Sequence, residues 1–392
     1  MINLASRPQC TGCTACVNIC PHQCIQMKKD EAGFDFPEVI KATECIACGA
    51  CERICPLLIK KEKTGTFEPN VYAAFTKDDS LRLNSSSGGI FSELANVVLE
   101  DGGSVYGASY DKNGIVRHVC VEEKEALEEL QGSKYSQSIL GESFQIIKGR
   151  LNAGEKILFS GTPCQVAGLK SFLGRDYENL ICVDFVCHGV PSPMVWEKYI
   201  HYRVRLDNQE EYPNKINLRN KESGWSQYAY SVEFKYSDGS RYLCNNGADL
   251  YMRLFVGDYI LRESCSECHF KGDGCVSDIT LGDFWGIWDV APEMDDNGGT
   301  SLILTHTLKG ENLLKIISGN IKCKQVTMEQ AAYKNQSMLK SSVHKENRSS
   351  VLKAIAENGF EAAIPFLQMG IPKRLTLREI IGIILRKLQM LK

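Results

Sequence analysis

The chain has 392 residues, 43% of them hydrophobic, so it is long enough for two or three domains with a sizeable core. Its formal net charge of −3 excludes a global basic field, and the sequence therefore does not favour a nucleic-acid partner. The first residues lack the apolar segment of a signal peptide, and no stretch approaches the roughly 18 apolar residues of a membrane span.

Two copies of one cysteine spacing lie within the first 55 residues. Each is a Cys-x2-Cys-x2-Cys-x3-Cys-Pro run, the spacing of bacterial dicluster ferredoxins, in which the fourth cysteine of each run binds the other run's 4Fe-4S cluster. The spacing predicts a first set of ligands, Cys10, Cys13, Cys16 and Cys55, and a second set, Cys45, Cys48, Cys51 and Cys20. Disulfides or zinc are the alternative, although zinc sites use paired knuckles rather than runs of four. Thiolates reserved for clusters imply a reducing compartment, so we expect the protein to be cytoplasmic.

Beyond a polar linker at 60–65, apolar runs alternate with amphipathic stretches. Periodicity and turn residues predict a strand at 71–75, a helix at 89–100, hairpins with turns at 111–114 and 237–239, and a β-α-β unit made of 156–160, 165–173 and 180–186. Residues 33–37 indicate a hairpin or loop within the cysteine-rich unit. Residues 320–392 are expected to be largely helical.

A turn of small residues, Ser85–Gly89, lies directly before the predicted helix at 89–100. Small residues expose backbone N–H groups, and a helix N-terminus carries partial positive charge, so this turn would suit a phosphate. The alternative is a serine that caps the helix after a flexible turn.

Four further cysteines form a third set. Cys164 follows the first strand of the β-α-β unit and Cys187 follows the second, so a right-handed crossover brings both to the same sheet edge. With the Cys-x2-Cys pair Cys265 and Cys268 they supply four thiolates, enough for a third 4Fe-4S cluster. The alternative is a zinc knuckle made of Cys265, Cys268, His269 and Cys275. Cys182, in the middle of a strand, is predicted to be core.

Five segments together, 85–89, 132–138, 159–170, 186–193 and 265–287, resemble the coenzyme F420 hydrogenase/dehydrogenase beta-subunit family. The resemblance is to its bacterial branch, and the family is similar to 7-hydroxymethyl chlorophyll a reductase. It implies an FAD-binding α/β domain with one more 4Fe-4S cluster beside the flavin, held by the third set. The residues that it implies around the FAD are Ser87, Gly88, Gly89, Lys134, Tyr135, Ser136, Gly161, Thr162 and Pro163.

The chain departs from that family at two places. Val186–Pro193 stands where archaeal hydrogenase members have a GLFC-type segment, and Cys275 adds a thiol. Coenzyme F420 carries phosphate and glutamates, whereas the segments near the implied flavin offer mainly Lys134, Lys170 and Arg175 as cations. We therefore expect poor turnover of F420 and a smaller or different organic acceptor. The alternative is that basic residues that the sequence does not place, such as Arg219, Lys221 and Arg253, converge at this site.

The remaining features are less specific. Residues 340–392 contain ten Lys and Arg against four Asp and Glu. A helical apolar stripe lies there at Leu377, Ile380, Ile381, Ile384, Leu388 and Leu391. Docking on the body or on a second subunit is favoured for this stripe over contact with a membrane surface. His188 is either a proton donor near the flavin or a structural histidine, and Cys120, Cys244 and Cys323 are predicted to be structural thiols.

The residues and the resemblance predict a fold between α+β and α/β in three parts. These are a dicluster ferredoxin-like domain at 1–62, a mixed α/β FAD-binding domain with a third cluster at 63–338, and a helical basic tail at 339–392. The expected function is an iron–sulfur flavoprotein oxidoreductase that passes electrons between 4Fe-4S clusters, FAD and an organic acceptor. Alternatives are a non-catalytic electron-transfer subunit of a larger complex and an F420-reducing or F420-oxidising subunit. The expected redox donor is a ferredoxin or a partner subunit, and a homo-oligomer remains open.

Overall fold

The computed structural model describes residues 5–59 and 68–367. Its strands are β1 (Ile25–Lys29), β2 (Asp35–Val39), β3 (Asn70–Thr76), β4 (Ser104–Tyr110), β5 (Val116–Val121), β6 (Ile157–Ser160), β7 (Leu180–Phe185), β8 (Lys215–Asn220), β9 (Ser231–Lys235), β10 (Arg241–Asn245), β11 (Ile279–Asp283), β12 (Ser301–Thr305) and β13 (Ile321–Val326). Its α-helices are α1 (Ala15–Ile19), α2 (Ala50–Arg53), α3 (Asp79–Asn84), α4 (Ile90–Glu100), α5 (Ser143–Asn152), α6 (Pro163–Leu173), α7 (Pro193–Leu206), α8 (Leu250–Val256), α9 (Ile287–Val290), α10 (Leu308–Ile316), α11 (Met328–Ala332) and α12 (Arg348–Asn358). The predicted linker, the boundary at 62/63 and the apolar stripe at 377–391 lie outside the described residues.

The cysteine-rich unit is built on the hairpin of β1 and β2, in which Ile25 pairs with Val39 and Lys29 with Asp35. The predicted hairpin or loop at 33–37 is thus a turn followed by the start of β2. Gly33 has a φ of 81°, and a Cβ atom there would lie 2.9 Å from the backbone nitrogen of Met194. The tip of the hairpin therefore lies directly against α7, and the unit is joined to the rest of the protein.

The larger part of the chain is organised around one eight-stranded sheet with the order β13-β3-β12-β11-β7-β6-β4-β5. The four central strands β11, β7, β6 and β4 are parallel, and the outer pairs are antiparallel. The predicted β-α-β unit is confirmed, because β6 and β7 are direct neighbours, with Ile157 opposite Leu180. Its helix α6 begins with a capping box of Thr162 and Gln165, and ends at Gly174, whose φ of 69° favours glycine.

Most of the other predicted elements are also confirmed. The strand at 71–75 is β3, the helix at 89–100 is α4, and the two hairpins are β4–β5 and β9–β10. The prediction of a largely helical region from residue 320 is wrong at its start, because β13 forms an edge of the large sheet beside β3. Most of the side chains of β13 are exposed and polar, so its sequence lacks the apolar alternation that marks a strand.

A smaller three-stranded sheet, β10-β9-β8, lies beside the large one with α7, α8 and α12. Its core is rich in buried aromatic side chains, among them Trp196, Tyr199, Phe234, Tyr251 and Phe360. Val351 and Leu352 of α12 are buried in the same core, so the described part of the C-terminal region is packed on the body of the protein. Among the residues described, no helix combines the length and apolar character needed to cross a membrane.

Candidate cofactor site

A cavity of about 570 Å³ opens at the edge of the large sheet where β6, β7 and β11 end. The N-terminus of α4 borders it, with the serine turn that precedes this helix, and so do residues of the small sheet. Carboxyl ends of parallel strands form the usual ligand site of open α/β sheets, and 300–1,000 Å³ is the usual range for ligand pockets. The cavity is therefore the main candidate site among the described residues.

The start of α4 is fixed by close backbone contacts. Gly89 precedes the helix with a φ of 82°, a conformation that favours glycine, and a Cβ atom on Gly88 would lie 2.4 Å from the carbonyl oxygen of Ala74. The side-chain Nζ of buried Lys221 donates hydrogen bonds to the backbone carbonyls of Ser87 and Arg82. Glycine packing and Lys221 together orient the turn so that the first N–H groups of α4 border the cavity.

Most of the residues that the family resemblance implies around a flavin border this cavity. Those on its wall are Ser87, Gly89, Lys134, Tyr135, Ser136, Gly161 and Thr162. Gly88 lies behind the wall, where its N–H donates to the hydroxyl of Ser301 on β12. Pro163 is the first residue of α6 and is buried away from the cavity. The implied residues thus come together in space, with these two in supporting positions.

The four cysteines of the third set come from three separate segments and lie near one another. Cys265 and Cys268 lie close enough to Cys164 and Cys187 to raise the pKa of both thiols by charge repulsion. Cys164 and Cys187 also border the cavity. The N–H of Val190 donates a hydrogen bond of 3.3 Å to Cys265 Sγ, an interaction typical of thiolates that bind metal. Burial, with the neighbouring thiols as a smaller cause, raises the pKa of Cys164 to about 12. Positive charge from iron would offset this repulsion, so the donor set fits a cluster.

Cys275 lies apart from the third set. Its Sγ is 3.5 Å from both Asp184 Oδ2 and His306 Nε2, and 3.1 Å from Ser277 Oγ. In the described part of the chain, no three His, Cys, Asp or Glu side chains converge closely enough to hold a single metal ion. A 4Fe-4S cluster spaces its ligands more widely, because each thiolate binds a different iron atom. The geometry therefore does not assemble the zinc knuckle that Cys275 would complete.

The first and second sets lie in the cysteine-rich unit as the duplicated spacing predicts. All four cysteines of the first set border a small cavity. Cys10 and Cys55 lie close enough to Cys13 and Cys16 to raise the pKa of those thiols by charge repulsion. In the second set, the charge of Cys20 reaches Cys51. Sequence reasoning missed buried Cys24, whose N–H donates a hydrogen bond of 3.3 Å to Cys20 Sγ. Cys24 lies outside the duplicated run and holds the side chain of Cys20, an expected ligand of the second set, in place.

Arg219 on β8, a basic residue that the sequence leaves unplaced, forms the floor of the cavity. Its guanidinium donates two hydrogen bonds to the carboxylate of Asp283, at 2.8 and 3.0 Å, and lies 4.1 Å from the ring centre of Tyr230. Only 3% of the Arg219 side chain is exposed. Asp283 ends β11 and belongs to the segment that carries the family resemblance, whereas nothing in the local sequence of Arg219 marks it.

Two histidines border the cavity in different ways. His118 contacts the carbonyl of Ser160 at 3.0 Å through Nε2 and the hydroxyl of Ser138 at 2.9 Å through Nδ1. Burial lowers the pKa of His118 to about 4, so this ring is neutral and structural. His188, which follows Cys187, has its Nε2 2.7 Å from Asp258 Oδ1.

The cations of the cavity differ from those expected from sequence. Arg175 lies outside the cavity wall, stacked on Tyr177, and Lys170 is also absent from the wall. Among the described residues, the lysines and arginines that border the cavity are Lys134, Arg219 and Lys334. Each already has acceptors in the protein: backbone carbonyls for Lys134, Asp283 for Arg219 and Asp289 for Lys334.

Comparison with known proteins agrees with this geometry. The sequence model for the C-terminal part of the beta subunit of coenzyme F420 hydrogenase/dehydrogenase matches residues 154–329, and that for the 4Fe-4S dicluster domain matches residues 9–59. Residues 154–329 therefore match the C-terminal part of this beta-subunit family. The predicted family and its N-terminal ferredoxin domain are thereby confirmed, and the protein is an iron–sulfur redox protein. The first match contains the whole third set, whereas the serine turn at 85–89 precedes it.

One solved structure and the curated proteins complete the comparison. The chain is similar to a chain of the F420-reducing NiFe hydrogenase complex from Methanosarcina barkeri, at 15% identity and a TM-score of 0.46. The similarity covers 75% of this chain and 94% of that one. Among curated proteins there is no match.

Proposed function

We propose that this protein is an iron–sulfur flavoprotein oxidoreductase, in which the third set holds a third 4Fe-4S cluster and the cavity holds FAD. Electrons would pass between a ferredoxin-type carrier or partner subunit, the clusters and a small organic acceptor. The domains would be those expected from sequence: a ferredoxin domain at 1–62, an FAD domain at 63–338 and a tail at 339–392. The observation that carries the proposal is that Cys164 and Cys187 border the same cavity as the N-terminus of α4.

The cavity wall fits a dinucleotide cofactor in two respects. The N-terminus of α4 supplies unpaired N–H groups and partial positive charge for a diphosphate, and Ser86 and Ser133 place hydroxyl groups beside it, 2.8 Å apart. Aromatic side chains, Tyr230 and Trp285, line the opposite part of the wall next to Arg219. A flat ring system and a diphosphate thus find matching surfaces in one cavity.

Bound FAD would exchange single electrons with clusters and pairs of electrons with an organic molecule. The role of the protein would be to bind the FAD, to orient it and to tune the reduction potentials of the cofactors. Lys221 fixes the turn that would receive the diphosphate, and Asp283 neutralises Arg219 beneath the ring site. Thr162 places its hydroxyl 3.1 Å from Cys164 Sγ, where a hydrogen bond would raise the reduction potential of the cluster on that thiolate.

The test is the cofactor content of the full chain purified without oxygen. We expect about twelve irons, about twelve sulfides, about one FAD and no stoichiometric zinc, since each of three clusters has four irons. Cys265→Ser should lower the iron content by about four, because it removes a ligand of the third cluster. Deazaflavin, nicotinamide and ferredoxin then serve as trial partners for the reconstituted protein.

Cys275→Ser is the matched control, since it removes a thiol ten residues away that contacts Asp184 and His306 instead. Its iron and flavin content should equal those of the unmodified chain. Eight irons with one zinc would instead support a structural knuckle. Twelve irons without flavin would leave an electron-transfer subunit whose chemistry takes place in a partner.

A further inference from the structure

The first set of cysteines lies directly against the helix that carries Cys164. Cys164 is the second residue of α6, and Gly168 follows it one turn later on the same face. A Cβ atom on Gly168 would lie 2.8 Å from Cys13 Cβ and 3.0 Å from Cys13 Sγ. The charge of Cys13 also reaches Cys164. The missing side chain of Gly168 therefore lets a ligand of the first cluster approach the backbone beside a ligand of the third.

The second set adjoins the first, because α1, which carries Cys16, packs against α2, which carries Cys51. Cys16 of the first set lies close enough to Cys51 of the second set for charge repulsion between the two thiols, whereas Cys13 points towards α6. Cys48 of the second set is exposed at the surface. The sets are therefore arranged in series, with the first between the third and the second.

Several polar contacts hold this arrangement in place. The side chain of Asn18 on α1 donates to the carbonyl of Gly141, and Gln145 on α5 donates to the carbonyl of Asn18 at 2.7 Å. The hydroxyl of Ser171 on α6 donates to the carbonyl of Ile54, next to Cys55. These hydrogen bonds hold α1 and α6 in place independently of Gly168. A side chain added at Gly168 would therefore change mainly the distance between Cys13 and α6.

A glycine in the middle of α6 carries a cost. Glycine destabilises a helix interior relative to alanine, and α6 is otherwise well formed, with a capping box at its start. The contact with Cys13 accounts for a small residue at this position.

We propose that Gly168 is a positioning residue that makes the first cluster the direct redox neighbour of the third, and that the second cluster faces the external one-electron donor. This inference rests on the proposed function, because it requires the third cluster. In the step at Gly168, one electron would pass from an iron centre held by Cys13 to an iron centre held by Cys164. No bond or proton moves. A carrier of the ferredoxin class supplies the electron at the exposed second set.

The first experiment uses the full chain, purified without oxygen, with Gly168→Ala and the matched control Gly149→Ala. Both replace a helical glycine, but a Cβ atom on Gly149 in α5 would meet nothing within 4 Å. Both should keep the full iron content. In electron paramagnetic resonance spectra of the reduced protein, Gly168→Ala should weaken the magnetic interaction between clusters. It should also slow reduction of the third cluster by reduced ferredoxin, and Gly149→Ala should do neither. Unchanged interaction and rate in an iron-replete Gly168→Ala protein would overturn the inference.

The second experiment does not depend on how Gly168→Ala folds. Cys16→Ser, which removes a ligand of the first cluster, should abolish the magnetic interaction of the third cluster. Cys48→Ser, in the second set, should leave that interaction intact, and the reverse result would overturn the order. Iron content separates this inference from the proposed function: if Cys265→Ser loses no iron, the third cluster itself is refuted. If it loses about four irons while Cys16→Ser leaves the interaction unchanged, only the order is refuted.

Discussion

Substitution of Asp283 by asparagine tests the role of the ion pair in the cavity floor. Asp283 is the counter-charge of Arg219, whose side chain is 3% exposed, and the two form a pair of hydrogen bonds at 2.8 and 3.0 Å. Breaking a buried ion pair by removing one partner costs about 3–5 kcal/mol, because the other charge remains buried without compensation. The Asp283 side chain is 18% exposed, so water screens part of the loss and we expect about 3 kcal/mol.

Differential scanning calorimetry of the protein purified without oxygen measures this loss as a change in Tm. For a domain of this size each 1 kcal/mol shifts Tm by about 2–4 °C, so Asp283→Asn should lower Tm by at least about 6 °C. The control is Glu100→Gln, which breaks a surface pair with Lys124 whose side chains are 58% and 50% exposed. Exposed pairs contribute about 0–1 kcal/mol, and the control should therefore change Tm by less than about 4 °C.

A double variant separates the ion pair from other effects of Asp283→Asn. Arg219→Met removes the buried cation, so the two changes together should cost less than the sum of the single changes. The expected coupling lies between about 0.5 and 3 kcal/mol, the range for residues in contact. Strict additivity, or equal Tm values for Asp283→Asn and the Glu100→Gln control, would refute a buried charge pair in the cavity floor.

Two further predictions concern pH and the acceptor. The pKa of His118 in the folded protein, about 4, lies below the value of about 6.5 in unfolded chains, so its contribution is complete above pH 6.5 and is lost as pH falls towards 4. Between pH 7.5 and 5, the stability advantage over His118→Gln should fall by about 2 kcal/mol in urea unfolding, and a constant difference would contradict a neutral ring. Because the cations of the cavity wall already have partners, the dithionite-reduced protein should bleach oxidised F420 slowly or not at all; rapid bleaching that saturates at micromolar coenzyme would contradict this.

The features that sequence predicts well are those in which neighbours along the chain act together. The two cysteine runs span eleven residues each, and the match at 9–59 confirms a 4Fe-4S dicluster domain there. The β-α-β unit is equally local, because an apolar strand, an amphipathic helix and a second apolar strand follow one another along the chain. The crossover between parallel strands is almost always right-handed, which fixes the placement of the helix. From that unit alone, Cys164 and Cys187 are expected at one sheet edge, and both border the cavity.

The features that sequence does not predict depend on segments that are distant along the chain. Arg219 and Asp283 are 64 residues apart, and Lys221 contacts the carbonyl of Ser87 across 134 residues. Neither contact has a local signal, because a charged residue in a polar segment is usually exposed. The strand β13 escaped prediction for a related reason, since an edge strand with solvated side chains has no apolar period.

The contact between the cysteine-rich unit and the rest of the protein also depends on segments that are distant along the chain, as Arg262 shows. Arg262 is 1% exposed and donates hydrogen bonds to the carbonyls of Cys10 and Asp35 and to the side chain of Gln137. It therefore ties the first run of cysteines to the cavity wall, three residues before Cys265. A buried guanidinium keeps such a geometry only when its hydrogen bonds are satisfied together, so the spacing between the first and third sets is fixed by this interface. The proposed path of electrons is thus a property of how the two domains meet, which neither cysteine motif encodes by itself.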